Sequence, residues 1–447
     1  MEFLAIADAD RVQEYVFVPS ELKMIRGASR LHVNLIETLG AGIRPPNRRI
    51  SANGGVVLGA FATELEAAAF CRTAERKFAD ETASASVTTA YNAYPAGTFG
   101  KSRKRLLEQL EINKRSRASS AANCGNPLLV TCEKCGLREA CTGGRDGEVL
   151  CKSCSIKRSE SDRNVFAQPG STPAESFEKI GEASSPENYL AIVYIDIDKL
   201  GRYLDDYMKS ADASEEMCGK LSGCIDKAVR DSVMEAALPF AKSTLLTHEV
   251  LLMGGDDAVI ALPASGAVSF LLRFEEEFVK PERWGGFKIP IFSAAMVMAH
   301  SHFPISEFLR IAKRMLRSAK EVQKENSVYF SVISGPGEDS ELAGGGLART
   351  AKPYPIRAFE HLANGIQELK QGKVPTSKIK ALYGLAWETP LQGDLEYLYL
   401  LTRLSDEHRG ILLKPELLGH QLWSTGSNGR FTRACDIVEL WEFVHAE

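Results

Sequence analysis

Two clusters of aspartates stand at the ends of apolar runs in this sequence. The tetrad Gly254–Asp257 (GGDD) joins two apolar runs, and the strand-like run Tyr189–Ile195 ends directly at Asp196. Carboxylate oxygens are the hard ligands that Mg²⁺ and Mn²⁺ prefer, and substrate phosphates fill the remaining coordination positions. Two such ions roughly 3.5–4 Å apart can activate a 3′-hydroxyl and neutralise a leaving pyrophosphate. The pattern predicts a catalytic metal site at Asp196, Asp256 and Asp257.

Residues around these aspartates are predicted to bind the substrate. Gly254 and Gly255 allow a tight turn with positive φ, and they let a phosphate approach the backbone closely. Lys320 lies near the end of a predicted helix, where it could contact a triphosphate. The alternatives are an aspartate pair that only favours a turn, and a lysine whose stem covers apolar surface while its head stays in water.

The pairs Cys132-x-x-Cys135 and Cys151-x-x-Cys154 are separated by the fifteen residues of Gly136–Leu150. This spacing is typical of a four-cysteine zinc ribbon, in which each pair presents two thiolates to a tetrahedral ion. All four protein positions are filled, so we predict a structural zinc. Cys124 and Cys141 are left over, and Cys141 could replace one ligand.

The composition indicates which class of protein this is. The chain has 447 residues, a formal net charge of −4, 44% hydrophobic residues and 25% charged residues, which is ordinary for a soluble globular protein. At roughly 100–200 residues per domain, two to four domains are expected. No apolar run reaches the ~20 residues that span a bilayer. The first residues carry no basic segment typical of a signal peptide, so we expect no membrane partner and a cytoplasmic location.

The elements that must position the aspartates follow the order β-α-β-β-α-β, and this order occurs twice. Such an order is typical of the ferredoxin-like layout, an antiparallel sheet backed by helices, so we predict an α+β protein. Asn53–Val57 parallels Met253–Asp257, which would put Val56 and Val57 where the second copy has its acids. The predicted segments are a first domain at 1–118, a cysteine insert at 119–158, a linker at 159–186, a second domain at 187–336 and a helical domain at 347–447.

At these residues the chain resembles the large palm-domain subunit of type III CRISPR–Cas effector complexes, and more distantly the GGDEF diguanylate cyclases. The resemblance covers most of the chain, and the segments that carry it are Asp8–Leu39, the cysteine insert, Asp196–Gly201, Gly254–Asp257, Ser293–His300, Pro304 and Ala319-Lys320.

The resemblance implies two ferredoxin-like palm domains, of which the first is degenerate, a zinc ribbon and a C-terminal helical domain. It implies synthesis of cyclic oligoadenylate second messengers from ATP in antiviral defence. Other CRISPR effector subunits and guide or target RNA would be the partners. It assigns Asp196, Asp256 and Asp257 as ligands of Mg²⁺ or Mn²⁺, joined by the Ile197 carbonyl, with Asp198 beside them at the substrate.

Two departures from these families shape the prediction. The sequence contains no His-Asp dipeptide, so we expect no nuclease activity of the kind found in many relatives. Leu204 replaces the asparagine that reads guanine in GGDEF cyclases, and leucine offers a guanine edge no hydrogen bond. This departure argues against diguanylate synthesis and is consistent with ATP, the substrate that the resemblance implies. The remaining alternatives are a stand-alone cyclase that makes a cyclic mono- or dinucleotide, and a scaffold subunit that binds nucleotide or RNA without turnover.

Overall fold

The structure is a computed structural model that describes residues 1–116, 130–143, 147–167, 171–210, 213–242, 245–322, 324–333, 350–426 and 429–445. The predicted domain boundaries at 118–119 and at 336–347, and the leftover Cys124, lie outside these residues. Within the described part of the chain, no helix is both long enough and apolar enough to cross a membrane.

Residues 1–116 form the first unit, a four-stranded antiparallel sheet in the order β2-β3-β1-β4 with helices on both faces. Its elements are β1 (Glu2–Asp10), α1 (Val12–Phe17), α2 (Leu22–Ala41), β2 (Arg48–Asn53), β3 (Val56–Phe61), α3 (Glu64–Thr82), β4 (Ser86–Tyr94) and α4 (Phe99–Ser116). The start of α3 shows how local sequence sets these bounds, because Thr63 and Glu66 form a reciprocal capping box. This is the predicted ferredoxin-like layout.

The cysteine insert is a short hairpin followed by one helix, formed by β5 (Thr142–Gly143), β6 (Val149–Leu150) and α5 (Lys152–Ser159). Its cysteines and Leu150 pack against Met24 of α2, so the insert lies against the first unit.

The segment 159–186, which we predicted to be a linker, contributes to the core. It contains α6 (Phe177–Gly181), capped by the Ser176 side chain. Phe166 and Ile180 are buried among residues of the second sheet. A few well-spaced apolar residues anchor this otherwise polar segment.

Residues 189–333 form the second unit, whose longer strands belong to a six-stranded sheet in the order β10-β11-β7-β12-β13-β14, while β8 and β9 pair only with each other. Its elements are β7 (Tyr189–Ile197), α7 (Leu200–Met208), α8 (Glu215–Ala237), β8 (Ala241–Lys242), β9 (Leu245–Leu246), β10 (Glu249–Gly254), β11 (Asp257–Pro263), α9 (Ala267–Phe278), β12 (Phe292–His300), α10 (Ile305–Ala319) and β13 (Ser327–Ile333). The β-α-β-β-α-β order predicted here is confirmed.

The C-terminal part is mostly helical, as predicted, and packs on one face of the second sheet. Its elements are β14 (Tyr354–Pro355), α11 (Ile356–Gln371), α12 (Thr376–Leu385), α13 (Pro390–Thr402), α14 (Asp406–Leu412), β15 (Ser424–Gly426), β16 (Gly429–Phe431) and α15 (Ala434–Leu440).

The two units pack against each other, and each contributes a helix that contacts a strand of the other unit. Helix α2 of the first unit contacts β10 of the second, and α8 of the second unit contacts β2 of the first. A buried ion pair crosses this interface, where Arg26 Nε lies 2.7 Å from Glu249 Oε1 with both side chains at most 5% exposed. Because either charge alone would be costly to bury there, removing one partner of the pair would destabilise the docked arrangement.

Candidate active site

Strand pairing brings the aspartates together. In the antiparallel pair of β7 and β11, Asp196 lies directly opposite Asp257. Gly254 pairs with Asp257 across the β10–β11 hairpin, so the two turn residues are Gly255 and Asp256. The φ of Gly255 is 64°, a conformation that glycine adopts without steric cost. A two-residue turn beside a strand end therefore gathers all three acidic side chains.

Oxygen atoms from the carboxylates of Asp196, Asp256 and Asp257 lie within 4.8 Å of one another. The Oδ1 atom of Asp257 is inaccessible to solvent and accepts no hydrogen bond from the described residues. A buried acceptor without a donor is unfavourable unless a cation or a substrate group completes it. The three residues therefore fit a divalent cation with oxygen ligands.

The electrostatics of the site favour a cation as well. Burial, together with the neighbouring Asp196 carboxylate, raises the pKa of Asp256 to about 6. Burial and the same neighbour raise the pKa of Asp257 well above its usual range. Lys320 Nζ forms an ion pair with Asp196 Oδ2 and supplies one compensating charge. Like charges gathered in a partly desolvated place are stabilised by bound cations.

The predicted substrate-binding residues Ile197, the last residue of β7, and Asp198, the next residue, directly follow Asp196. The Ile197 amide donates to the Asp256 carbonyl oxygen at 3.3 Å, which ties the strand end to the turn. Asp198 accepts a hydrogen bond from Ser293 Oγ at 3.0 Å, and its Oδ1 atom has no described donor. Asp198 is not part of the group of three close carboxylates in the described residues.

Two residues that contact Asp257 were not predicted from the sequence. Gln13 of α1 donates from Nε2 to Asp257 Oδ2 at 3.0 Å and also to the Tyr194 hydroxyl. Tyr194 could have been found, because strand alternation places it on the same face of β7 as Asp196. No spacing in the sequence connects Gln13 with the second unit.

Asp256 and Asp257 border a cleft of about 320 Å³ that both units line. Arg11 and Lys313 bring positive charge to this cleft, one from each unit. Its lining residues are Arg11, Val12, Gln13, Glu14, His32, Gly54, Leu252, Met253, Gly254, Asp256, Asp257 and Lys313. The cleft therefore exists only when the two units are docked.

The first unit carries a counterpart of this site without the acidic turn. Asn53 pairs with Val56 around the turn residues Gly54 and Gly55, and Asp8 lies opposite Val56. The pairing of these strands shows that the predicted alignment of Asn53–Val57 with Met253–Asp257 is wrong by one residue. Gly55 and Val56, and not Val56 and Val57, stand where the second unit has Asp256 and Asp257.

An ion pair is also repeated in this counterpart. Lys114 Nζ of α4 lies 2.8 Å from Asp8 Oδ2, as Lys320 pairs with Asp196 in the second unit. Asp8 keeps its lysine but has no acidic neighbours on the turn. The first unit therefore retains the frame of the site and lacks the close group of carboxylates.

Sulfur atoms of Cys132, Cys135, Cys151 and Cys154 lie within 4.8 Å of one another, as the two CxxC pairs predict. The Sγ atoms of Cys135 and Cys151 are 3.8 Å apart. Cys141 is exposed and lies outside this group. Four close thiols are compatible with a tetrahedral zinc ion.

The model of the Cas10/Cmr2 second palm domain matches residues 189–329. No curated protein matches the sequence.

Three solved structures of the same fold are Csm1–Csm4 cassettes. The cassette in complex with pppApApA aligns with a TM-score of 0.62 and 16% identity over 91% of this chain and 64% of that chain. The cassette in complex with cA4 gives 0.60 and 16% over 99% and 68%, and the apo cassette gives 0.62 and 16% over 99% and 69%. The chain thus spans about two thirds of the length of the chains it matches.

These matches agree with the geometry of the site. The matched region begins with β7 and contains Asp196, the GGDD turn and both helices α9 and α10. The predicted fold and the predicted resemblance to the palm-domain subunit of type III CRISPR–Cas complexes are confirmed. Residues 189–329 are therefore similar to the second palm domain of Cas10/Cmr2, and the chain has the fold found in the Csm1–Csm4 cassettes.

Proposed function

We propose that this chain is a metal-dependent nucleotidyltransferase that converts ATP into cyclic oligoadenylate, as part of a type III CRISPR defence complex or a related system. The observation that carries the proposal is the convergence of Asp196, Asp256 and Asp257 within 4.8 Å beside a cleft lined by both units. Solved cassettes of the same fold are described in complex with ATP, pppApApA, cA3 and cA4, which supports this class of substrate and product.

The three aspartates would hold Mg²⁺ or Mn²⁺, and the bound ion would lower the pKa of an ATP 3′-hydroxyl and stabilise charge on the phosphate under attack. In the reaction, the 3′-oxygen of one ATP forms a bond to the α-phosphorus of another. The bond to the β-phosphate breaks, pyrophosphate leaves, and the hydroxyl proton passes to solvent. Alignment and charge stabilisation supply most of the rate in such transfers.

Other residues of the site would align the nucleotides. Gly254 and Gly255 would border the substrate phosphates through their backbone, on the side that does not face Gly54. When a metal neutralises the aspartates, Lys320 would release Asp196 and form an ion pair with the triphosphate instead. Arg11 and Lys313 in the cleft would bind phosphate oxygens from either side. Ile197 at the end of β7 and Asp198 directly after it would border the substrate.

Joining two ATP molecules requires two binding places that face each other, and the two docked units would supply one each. The first unit keeps the frame of the site and lacks the acidic turn, so it would hold the second ATP without metals. The zinc ribbon would be structural. The proposed partners are other effector subunits and guide or target RNA, and the cytoplasmic location remains a prediction.

The test is product formation from purified protein. We would incubate the chain with ATP or GTP and Mn²⁺, with and without an assembled guide–target RNA complex, and identify products by mass spectrometry. Cyclic oligoadenylate supports the proposal. Asp257→Asn, checked for intact folding, should lower the rate by more than about 100-fold, since it removes charge stabilisation at the reacting centre.

The other outcomes would identify the alternatives. A cyclic mono- or dinucleotide formed without RNA would identify a stand-alone cyclase. Bound nucleotide with no product under any condition would identify a scaffold subunit.

A further inference from the structure

Gln13 is a point at which the first unit contacts the predicted metal ligands of the second. Its Nε2 atom donates to Asp257 Oδ2 at 3.0 Å and to the hydroxyl of Tyr194. The Tyr194 hydroxyl lies 3.4 Å from the same Asp257 oxygen. The two polar groups therefore converge on Oδ2, while Oδ1 of Asp257 has no described donor. One oxygen of the carboxylate is fixed, and the other is left for a cation.

Helix α1 is held in place independently of any bound group. Tyr15, Val16 and Phe17 are at most 9% exposed and pack in the core on one face of the second sheet. Lys157, which is 1% exposed, donates from Nζ to the Tyr15 carbonyl and lies 4.0 Å from the centre of the Tyr15 ring. Gln13 is thus presented to Asp257 by a helix anchored on two sides.

We infer that Gln13 is a positioning residue, which orients the Asp257 carboxylate for divalent-metal binding. The metal site of the second unit is then complete only when α1 of the first unit is docked. This inference rests on the proposed function for the existence of the metal, but not for the identity of the product. Groups that orient metal ligands through hydrogen bonds typically contribute about 10- to 100-fold to metal affinity.

The experiment measures Mn²⁺ binding to the full chain without nucleotide, from the electron paramagnetic resonance signal of free Mn²⁺. Gln13→Met keeps the length of the side chain and removes the donor. We expect its Kd for Mn²⁺ to rise by about 10- to 100-fold. Tyr194→Phe removes the shared hydroxyl and keeps the Gln13–Asp257 bond, so a smaller rise is expected.

Gln109→Met is the matched control. Gln109 is an exposed glutamine of α4 whose Nε2 donates to Asn113 Oδ1 at 2.9 Å, and its loss should leave Mn²⁺ binding unchanged. Asp257→Asn gives the Mn²⁺ affinity of a site that lacks the Asp257 carboxylate. Circular dichroism of each variant reports whether it is folded.

Wild-type Mn²⁺ affinity in a folded Gln13→Met variant overturns the inference. If Gln13→Met does not fold, Gln13→Ala decides, because it also removes the donor: an unchanged Kd in a folded Gln13→Ala variant overturns the inference, and a raised Kd supports it. Failure of the proposed function looks different: the chain then binds Mn²⁺ with the expected dependence on Gln13 but makes no product from ATP. A wild-type chain that binds no Mn²⁺ overturns both.

Discussion

A Cβ atom placed on Gly54 would lie 2.8 Å from the Cα atom of Gly255. These two glycines occupy the same position in the hairpins of the first and second units, each as the first residue of a two-residue turn. The turns therefore meet back to back, and the close approach requires that neither residue has a side chain. This contact sets how the acidic turn of one unit faces the other unit.

Gly54→Ala should destabilise the docked units more than backbone strain alone explains. The φ of Gly54 is 58°, and a left-handed alanine costs about 1–2 kcal/mol. Overpacking against Gly255 should add about 1–3 kcal/mol. Gly97→Ala is the control, because Gly97 has a φ of 74° and nothing within 4 Å of the added Cβ. Equal losses of unfolding free energy in denaturant titrations of the two variants would contradict the contact.

Lys320→Met should change metal and nucleotide binding in opposite directions. Lys320 Nζ pairs with Asp196 and so competes with a metal for that carboxylate. Without nucleotide, we expect Mn²⁺ to bind about 2- to 5-fold more tightly, in keeping with a partly exposed ion pair. ATP should bind about tenfold more weakly, because a charged hydrogen bond to phosphate is lost.

Isothermal titration calorimetry with each ligand separately measures both effects of Lys320→Met. Lys324→Met is the matched control, since Lys324 lines a different cleft near Glu275 and Arg357. A loss of affinity for both ligands would mean that Lys320 stabilises the metal site instead of competing with the cation.

His32 should make stability depend on pH. Burial lowers its pKa from 6.5 to about 4 in the folded chain. Between these values the unfolded chain binds the proton and the folded chain does not, so stability falls as the pH falls from 6.5 towards 4. The full effect is about 3 kcal/mol. His32→Gln should lose this part of the pH dependence in denaturant titrations at a series of pH values.

His420, an exposed histidine, provides the control for this measurement. His420→Gln should follow the wild-type dependence of stability on pH. If His32→Gln followed it as well, His32 would not be buried as a neutral group.

Cys135→Ser should remove the bound zinc. Its sulfur belongs to the group of four close thiols, and a tetrahedral site with three thiolates binds zinc less tightly. We expect the zinc content, measured by inductively coupled plasma mass spectrometry, to fall below half of the wild-type value. Cys141→Ser should keep its zinc, because Cys141 lies outside the group. Unchanged zinc in Cys135→Ser would count against the assignment.

The acidic triad and the four thiols could be predicted because their signals are local. Asp196 ends an apolar strand, Asp256 and Asp257 follow a glycine turn, and each CxxC pair presents two ligands from one short loop. A side chain at a strand end or in a hairpin turn has few possible positions, so the position of each acidic group follows from the local element. The sequence order β-α-β-β-α-β then brought the two aspartate clusters to one edge of a sheet.

The turn of the first unit and the segment 159–186 show where local signals fail. Two adjacent glycines can be aligned in more than one way, and only the hydrogen-bonded register decided that Gly55 and Val56 replace the acids. Phe166 and Ile180 anchor a segment whose composition is typical of a linker, because burial depends on which surface is nearby.

The residue types and spacing alone determined which side chains could bind metal and where in each ferredoxin-like unit they lie. Only the tertiary structure decided that Gln13, far away in the chain, touches Asp257, and that the cleft is shared by both units. The physical reason is that docking of the units is set by many small contacts, such as Arg26 with Glu249 and Gly54 with Gly255. These contacts are spread over distant parts of the chain and leave no periodic pattern in either one.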